Sequence, residues 1–414
     1  MTSRAAKAYH AMNAFWLYWL STTLSYLGDG ARFVAVPLLA ATLTSSPAQV
    51  ASVAVAAGLP WPLLGLLAGV LVDRVDKSRL LSGMQVARAL LGFSISFAVA
   101  GGRISLGLLA GLVFSLNCCE VCYDVALHAF LPSIVEETKL QWANSRLITA
   151  ETVVFEFVGP AVGGFLFARN SSLPFFFDAA TFLFSAWVLR ALSRRGRPPY
   201  VAGRVARSSI SSELADGLRW FRSHRLVRSL TFVGASINVG VGGLFAVLVL
   251  FVKENLSSGA GAYGILIAIG AIGSVIGGLA AARLTGARGR RAICVCAAPA
   301  TALVLVVIAG ASSYLVTAVS LIASGMVIAM VNVVTISLRQ SLTPTALIGR
   351  VTAVHRVLCW GAAPLGAGLA GLAGQFLGVR AALAICGGAV LVLSAITLPD
   401  FLYVTPEAFA PATR

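Results

Sequence analysis

Charged residues are scarce in this chain. Only 11% of its 414 residues are Asp, Glu, Lys or Arg, and 58% are apolar, whereas a soluble protein contains about 25% charged residues. This composition excludes a soluble globular protein and predicts an integral membrane protein. Lys and Arg outnumber Asp and Glu by 31 to 15, which gives a formal charge of +16. In a membrane protein, such an excess is typical of cytoplasmic loops.

The sequence also lacks the motifs of most other function classes. It has no nucleotide-binding loop, HExxH motif or nucleophile elbow, and no basic stretch carries interleaved aromatic residues. Cys119 and Cys122 have the spacing of metal ligands, but no second pair or suitably placed histidine completes a site. We therefore predict no enzymatic activity, cofactor, metal or nucleic-acid partner, and interpret the cysteines as small packing residues.

Long apolar runs fill most of the sequence. A membrane-spanning helix needs about 20 predominantly apolar residues, and this length predicts twelve spans. The predicted spans are residues 13–42, 49–72, 80–101, 104–131, 142–168, 173–192, 226–252, 260–283, 292–312, 314–338, 347–374 and 378–399. The sequence therefore predicts an all-α membrane protein with twelve transmembrane helices.

Positive charge is unevenly distributed among the predicted loops. With the N-terminus inside, the outer loops hold only Arg103, Arg169, Lys253 and Arg380, and the other loop cations lie on the cytoplasmic side. Cytoplasmic loops of membrane proteins carry an excess of Lys and Arg. The asymmetry predicts a multi-pass protein of the cell membrane with both termini in the cytoplasm.

One long polar segment divides the chain midway. Residues 193–212 are rich in Arg and Pro, and six predicted spans lie on each side of them. Residues 213–228 follow with apolar and basic positions at helical spacing, which predicts an amphipathic helix on the inner leaflet or, alternatively, a partner-binding site. We predict an N-terminal six-helix bundle over 1–192, a cytoplasmic linker with this helix over 193–225, and a C-terminal six-helix bundle over 226–414.

A dense charged turn separates the second and third predicted spans. Residues 69–81 read GVLVDRVDKSRLL, so Gly69 stands four residues before Asp73 and Arg74. This turn resembles the loop after the second helix of the major facilitator superfamily, whose pattern is roughly GxxxDRxGRK. The resemblance implies that Gly69, Asp73 and Arg74 belong to a gate that helps to lock the cytoplasmic side of the two halves.

Further motifs extend the resemblance over nearly the whole chain. Residues 131–135 read LPSIV, residues 159–164 read GPAVGG and residues 349–351 read GRV. Their order and spacing are similar to those of the exporter branch that includes the enterobactin exporter and macrolide efflux proteins. The resemblance implies the major facilitator fold, with twelve transmembrane helices in two pseudo-symmetric six-helix bundles around a central cavity.

The GPAVGG motif lies in the fifth predicted span. A similar GPxxGG marks this span in antiporters of the superfamily, although Phe155 stands where their longer pattern has a further glycine. We predict that Gly159 and Pro160 allow a close helix approach and a kink, and that they belong to the gating residues.

Charges within spans are costly, so each one requires an explanation. Asp29 and Arg32 lie three residues apart on one helix. We interpret them as either a proton or substrate site or a structural ion pair. Glu120, Asp124 and His128 follow at four-residue spacing, which places them on one stripe of a helix. We interpret this stripe as a proton site with His128 as a relay, as polar packing between helices, or as a site for a cationic substrate.

Two further acids, Glu151 and Glu156, lie in the fifth span. The predicted proton-coupling residues are Asp29, Glu120, Asp124, Glu151 and Glu156.

The predicted cavity residues are Arg32, Tyr123, Arg88 and Arg356. The fourth span lacks the arginine found there in many proton-coupled drug exporters of the superfamily, and we hypothesise that Arg88 replaces it. For Asp178, the sequence favours a structural bond to neighbouring backbone.

These observations predict a proton-coupled secondary active exporter of hydrophobic or amphipathic small molecules that works by alternating access. A dedicated exporter of a siderophore or natural product is the alternative, although a strongly anionic cargo predicts a more cationic cavity. From a different class, a membrane enzyme or a non-transporting assembly factor would move no compound in proteoliposomes. The predicted partners are a small-molecule substrate, protons and the lipid bilayer, and the chain is predicted to act as a monomer.

Overall fold

The computed structural model describes residues 3–194, 210–284, 286–344 and 347–403. Within these ranges, the side chains of residues 3–11, 66, 70, 73, 193–194, 210–215 and 402–403 lie outside the description. The described part of the chain is almost entirely helical and contains no strand, which confirms the predicted all-α class.

The α-helices are numbered here in chain order. They are α1 Ser3–Leu43, α2 Pro47–Gly58, α3 Pro60–Arg74, α4 Lys77–Ala100, α5 Leu106–Phe130, α6 Leu140–Ala150, α7 Gly159–Arg169, α8 Leu173–Arg194, α9 Ile210–Ser223, α10 Arg225–Asn255, α11 Ala260–Arg283, α12 Ala287–Gly310, α13 Tyr314–Leu342, α14 Ile348–Leu377, α15 Val379–Ala395 and α16 Leu398–Tyr403. Two short 3₁₀ turns, Leu131–Ser133 and Glu137–Lys139, lie between α5 and α6, and a π-helix, Glu151–Val158, joins α6 to α7.

Ten segments of the described chain are long and apolar enough to cross a membrane. The other two predicted spans correspond to α15, which is apolar but shorter, and to α1, which has 41 residues and carries Asp29 and Arg32. The apolar runs of the sequence are therefore helices.

The fifth predicted span is not a continuous α-helix. Its centre, Glu151–Val158, forms a π-helix of eight residues between α6 and α7. A π-helix joins residue i to residue i+5 and is frequent at functional sites. Pro160 stands in the first turn of α7, where its missing N–H group is tolerated.

The predicted amphipathic helix over 213–228 is two helices. α9 ends at Ser223 and α10 begins at Arg225. His224 separates them in an extended conformation, and its Nδ1 accepts a hydrogen bond from Val227 N at 3.4 Å. This cap explains why α10 starts three residues before the end of the predicted segment.

The apolar side of α9 contacts other helices. Phe221 is buried in a cluster with Val227 of α10 and Val351 of α14, and an added Cβ at Gly217 would lie 2.7 Å from Arg350 Cβ. Protein therefore covers part of the apolar side of α9, and its predicted position on the inner leaflet stays a prediction.

The helices form two compact units. The first contains α1 up to Leu39, α3 from Leu63 onward, α4–α8 and residues Ala260–Ala268 of α11. The second contains the end of α1, α2, the start of α3, α9, α10, the rest of α11 and α12–α16. The predicted division of the chain at residues 192 and 225 stays a prediction.

Each unit has its own core. In the first, Phe15 and Tyr18 of α1 are buried with Leu127 of α5, and the Tyr18 hydroxyl donates to the Leu127 carbonyl at 2.7 Å. In the second, α10 packs most extensively against α14, where an added Cβ at Gly242 would lie 2.8 Å from Ala363 Cα. Small residues at this contact let the two helix backbones approach closely.

Candidate functional site

The strongest concentration of charge in the described chain lies inside the first unit, around Arg32 of α1. Its Nη2 lies 2.8 Å from Asp29 Oδ1 and 2.7 Å from Glu120 Oε2, and its Nη1 donates to Asn117 Oδ1 at 3.0 Å. Its Nε lies 3.1 Å from Asp178 Oδ2, an ion pair whose alignment falls short of a hydrogen bond. One guanidinium therefore joins α1 to α5 and α8.

Arg88 of α4 provides the second cation of this group. Its Nη2 is ion-paired with Asp29 Oδ1 and lies 3.5 Å from Glu120 Oε2, and its Nη1 donates to Gln85 Oε1 at 3.1 Å. The guanidinium carbon lies 4.0 Å from the ring centre of Phe182, close enough for a cation–π contact. Arg88 is fully buried, so all of its charge must be satisfied by protein groups.

Buried polar side chains hold Arg88 in this position. Gln85 Nε2 donates to Ser25 Oγ at 2.9 Å and to Ser185 Oγ at 2.8 Å, which leaves its oxygen to face Arg88. Glycine lets α1 and α8 approach, because an added Cβ at Gly28 would lie 3.0 Å from Asp178 Cα. The network is therefore built by four helices, α1, α4, α5 and α8, which meet through small and polar residues.

The formal charge of this network is uneven. We call Asp29, Arg32, Arg88, Glu120 and Asp178 the ion network; its three carboxylates and two guanidinium groups leave one negative charge without a cationic counterpart. Arginine stays protonated in proteins, so only the carboxylates can change charge. One proton bound to any of them would make the network neutral.

The members of the ion network differ in exposure. The Glu120 side chain is 29% exposed, whereas those of Arg32 and Asp29 are 8% and 7% exposed, and Asp178 is fully buried. Glu120 is therefore the most exposed carboxylate of the ion network.

The other predicted proton-coupling acids form a second group. Asp124 and Glu156 lie close enough to Glu151 to interact with it electrostatically, and Asp124 Oδ1 lies 3.7 Å from His128 Nε2. Glu151 and Glu156 are five residues apart within the π-helix, and they interact electrostatically there. In an α-helix they would point in different directions. We call Asp124, Glu151, Glu156 and His128 the π-helix acid group.

Three predicted cavity residues are buried in this structure. Arg32, Arg88 and Tyr123 are 6%, 0% and 4% exposed, and their predicted place in a cavity stays a prediction. Arg88 occupies the ion network, and Tyr123 belongs to the core. The fourth, Arg356, is exposed, and its guanidinium lies 5.5 Å from the ring centre of Trp360.

The charged turn lies between α3 and α4. Asp76 caps α4 by accepting from Arg79 N at 2.9 Å, while Arg74 is exposed at the end of α3. An added Cβ at Gly69 would meet no atom within 4 Å. The Asp73 side chain lies outside the described residues, so its predicted gating role stays a prediction.

Gly159 lies at a close contact between α7 and α1. An added Cβ at Gly159 would lie 2.7 Å from Gly30 Cα, and one at Gly163 would lie 2.6 Å from Ala31 Cα. The predicted close helix approach is therefore present, because no larger residue fits at this contact. The gating role assigned to Gly159 and Pro160 stays a prediction.

Two members of the site were not predicted. Asp178 was expected to bond neighbouring backbone, but its carboxylate lies against Arg32, and Asn117 also binds this arginine. Asn117 stands three residues before Glu120 in an apolar helix. A polar residue at this spacing indicates that it shares a site with Glu120. For Asp178 the signal was its position inside a span, where a charge requires a partner. Among the described residues, no group of three or more His, Cys, Asp or Glu is arranged to hold a metal ion.

Nearly the whole chain matches one family of membrane proteins. A family model described as transmembrane secretion effector aligns with residues 5–409. The chain belongs to this family of major facilitator superfamily transporters. This confirms the resemblance seen in its motifs and identifies a transporter of small molecules.

Individual relatives agree with this family. The chain is 26% identical over 394 residues to the uncharacterized MFS-type transporter y4rN of Sinorhizobium fredii, with 94% of each chain covered. It is 26% identical over 408 residues to the multidrug efflux pump Tap of Mycolicibacterium fortuitum, with 94% of this chain and 93% of Tap covered. The solved nucleoside transporter NupG has a TM-score of 0.74 at 14% identity, with 95% of this chain and 100% of NupG covered. The likeness to NupG shows the fold alone, which is that of a multi-pass membrane transporter.

Proposed function

We propose that this protein is a proton-coupled secondary exporter of hydrophobic or amphipathic small molecules, driven by inward proton flow. Export is supported by the similarity to the multidrug efflux pump Tap, which covers 94% of this chain and 93% of Tap. Proton coupling is supported by the single uncompensated negative charge of the ion network, and this observation carries the proposal.

The ion network provides a physical reason for coupling. With every acid ionised, its surplus charge is held in a low-dielectric environment, which disfavours charge that lacks a partner. Binding of one proton to Glu120 removes the surplus negative charge and weakens the ion pair between Glu120 and Arg32. Protonation then shifts the equilibrium between two arrangements of the helices that carry these residues. Such a shift is required to couple proton flow to alternating access.

The π-helix acid group extends this path. It is linked to Glu120 through Asp124, which follows Glu120 by one helical turn on α5. The His128 side chain, which is 48% exposed, lies 3.7 Å from Asp124 Oδ1 within this group. We propose that protons pass between this group and Glu120 during transport.

The decisive experiment measures pH-gradient-driven uptake in inverted vesicles. Glu120→Gln removes the exposed acid of the ion network, and we expect uptake to fall by more than about tenfold. Counterflow, which needs no net proton movement, should persist. Glu136→Gln is the matched control, because Glu136 is 61% exposed and lies 3.9 Å from Lys139 outside the ion network. Gradient-driven uptake that is unchanged in Glu120→Gln would refute proton coupling through this network.

A dedicated exporter of an anionic siderophore or natural product is the alternative. The exposed cation Arg356 beside Trp360 favours it, because a guanidinium and an aromatic ring together bind planar anionic compounds. Replacement of Arg32, Arg88 and Arg356 one at a time distinguishes the two. Loss of export confined to anionic cargo in Arg356→Gln would favour the dedicated exporter.

We also propose a monomer in the cell membrane with both termini in the cytoplasm. The distribution of Lys and Arg among the loops supports this orientation. Reporter fusions at each terminus test it, because a periplasm-active reporter should be inactive and a cytoplasm-active one should be active. The reverse result would overturn the orientation.

A further inference from the structure

Arg339, near the end of α13, is a buried cation without a buried acid beside it. Three arginines of the described chain are buried: Arg32, Arg88 and Arg339. The first two are paired with carboxylates in the ion network. Arg339 is 7% exposed, and its Nε and Nη1 have no hydrogen-bond partner among the described residues.

The acids of the second unit are occupied elsewhere. The described acidic side chains of this unit are Asp216, Glu254 and Asp400. Asp216 pairs with Arg219 and Arg350, Asp400 pairs with Arg225, and Glu254 lies at the opposite end of α10 from Arg225. The described chain therefore supplies no carboxylate to Arg339.

The groups around Arg339 are also unsuited to balance its charge. Arg356 and Cys359 of α14 are close enough to interact with it electrostatically, and Arg339 and Arg356 both act on His355. The position of Arg339 in the last turn of α13 is favourable for a cation, but the helix end leaves Nε and Nη1 unbonded. A guanidinium cannot escape this cost by losing its proton.

Neighbouring polar groups are arranged to accept a ligand. The Thr343 hydroxyl, four residues after Arg339, is buried and has no partner in the described chain. The His355 ring is held in place by Thr231, with 3.0 Å between Nδ1 and Oγ1. α10, α13 and α14 thus bring two unused groups and two further cationic or protonatable side chains together.

We propose that Arg339 and Thr343, flanked by His355 and Arg356, bind the oxyanion of a carboxylate or phosphate group. Guanidinium matches these groups in shape and charge, since it offers parallel N–H donors to two oxygens. The anion comes either from a phospholipid headgroup or from a soluble compound. This site is separate from the ion network, which lies in the first unit, and its existence does not depend on proton coupling.

Thermal unfolding of the purified full chain tests the proposal. Inorganic phosphate is titrated at constant ionic strength in neutral detergent, and we expect a saturable rise in the unfolding temperature. Arg339→Gln should raise the phosphate concentration for half-maximal effect about tenfold or more, whereas Arg283→Gln, which changes an exposed arginine of the same unit, should not. No saturable rise, or an equal rise in Arg339→Gln, would overturn the site.

A second arm distinguishes the sources of the anion. The unfolding temperature is also measured in phosphatidylcholine nanodiscs with and without phosphatidylglycerol. A rise in unfolding temperature that phosphatidylglycerol causes and that is lost in Arg339→Gln identifies a lipid site. A rise that phosphate causes without phosphatidylglycerol identifies a soluble anion. If Arg339→Gln does not fold, Thr343→Val replaces it, because this change removes only the unbonded hydroxyl. Unaltered phosphate affinity in Thr343→Val would then overturn the proposal.

Discussion

Arg32 Nη2 and Glu120 Oε2 lie 2.7 Å apart, although 88 residues separate them in the chain. The same nitrogen contacts Asp29 Oδ1 at 2.8 Å, so one guanidinium nitrogen serves both an enclosed acid and a partly exposed one. Protonation of Glu120 weakens its ion pair with Arg32 Nη2 and leaves Arg32 more tightly paired with Asp29. The strength of the pairing between Arg32 and Asp29 therefore depends on the charge state of Glu120.

Asp178→Asn tests whether Asp178 is a full member of the ion network. The carboxylate is fully buried against Arg32, so its loss leaves part of a buried guanidinium unpaired. Loss of one partner of a buried ion pair costs about 3–5 kcal/mol, but Asp178→Asn also removes the surplus negative charge of the ion network. We therefore expect the free energy of unfolding in mixed micelles to fall by less than this amount.

A double-mutant cycle separates this pairing from a bond to backbone. Arg32→Met combined with Asp178→Asn should be less destabilising than the sum of the single changes by about 0.5–3 kcal/mol. Asp76→Asn, which alters a surface helix cap, provides a control that should not couple to Arg32. Additive effects of Arg32→Met and Asp178→Asn would show that the two side chains act independently.

The ion network and the π-helix acid group should act in series. If protons reach Glu120 through Glu151, then loss of either acid blocks the same path. We expect Glu151→Gln and Glu120→Gln each to reduce gradient-driven uptake and the double variant to be no slower than the slower single one. Multiplying effects in vesicle uptake assays would indicate two independent proton paths instead.

The sequence predicted the helices well and the site only in part. Apolar runs determine which segments are buried in lipid, and the three-residue spacing of Asp29 and Arg32 determines their contact within one helix. Glu120 and Asp124 share a stripe of α5, yet they belong to different charge groups. Residues four apart differ by about 6 Å along the helix axis, so their partners are set by which helices pack at each level.

Contacts between segments that lie far apart in the chain cannot be predicted from the sequence alone. The pairing of Asp178 with Arg32 depends on the approach of α8 to α1, which Gly28 permits. The π-helix at Glu151–Val158 has no distinctive composition, so the interaction between its two acids could not be predicted from periodicity.

Glycine substitutions separate packing from gating. Gly159→Ala places a Cβ 2.7 Å from Gly30 Cα, and relief requires a backbone shift because no flexible side chain can move away. We expect a loss of about 1–3 kcal/mol in the free energy of unfolding. Gly69→Ala meets no atom within 4 Å and should leave stability unchanged or raise it by about 1 kcal/mol.

The same pair tests the predicted gate. If Gly69 must be small because another part of the protein approaches it during transport, Gly69→Ala slows uptake while stability is retained. Normal uptake by a stable Gly69→Ala protein would remove Gly69 from the gate.

Asp400 makes the attachment of α16 sensitive to pH. Burial alone raises the pKa of its carboxyl, but hydrogen bonds from Ser229 and Arg225 outweigh burial, and the pKa lies below its ordinary value. A carboxyl whose pKa is lowered by folding contributes stability at pH values above the unfolded pKa of about 3.9. This contribution is lost as the pH falls through the lower value of the folded state.

We therefore expect the stability advantage of the natural protein over Asp400→Asn to be full at neutral pH and to vanish in strong acid. The unfolding temperature of both proteins, measured between about pH 7 and pH 3, gives this difference directly. Asp216→Asn is the control, because the Asp216 side chain is 48% exposed and its ion pairs are screened by water. Parallel curves for the natural protein and Asp400→Asn would show that the carboxylate is not what holds α16 to α10, and Arg291, whose Nε donates to the Phe401 carbonyl at 2.8 Å, would then be the residue that anchors α16.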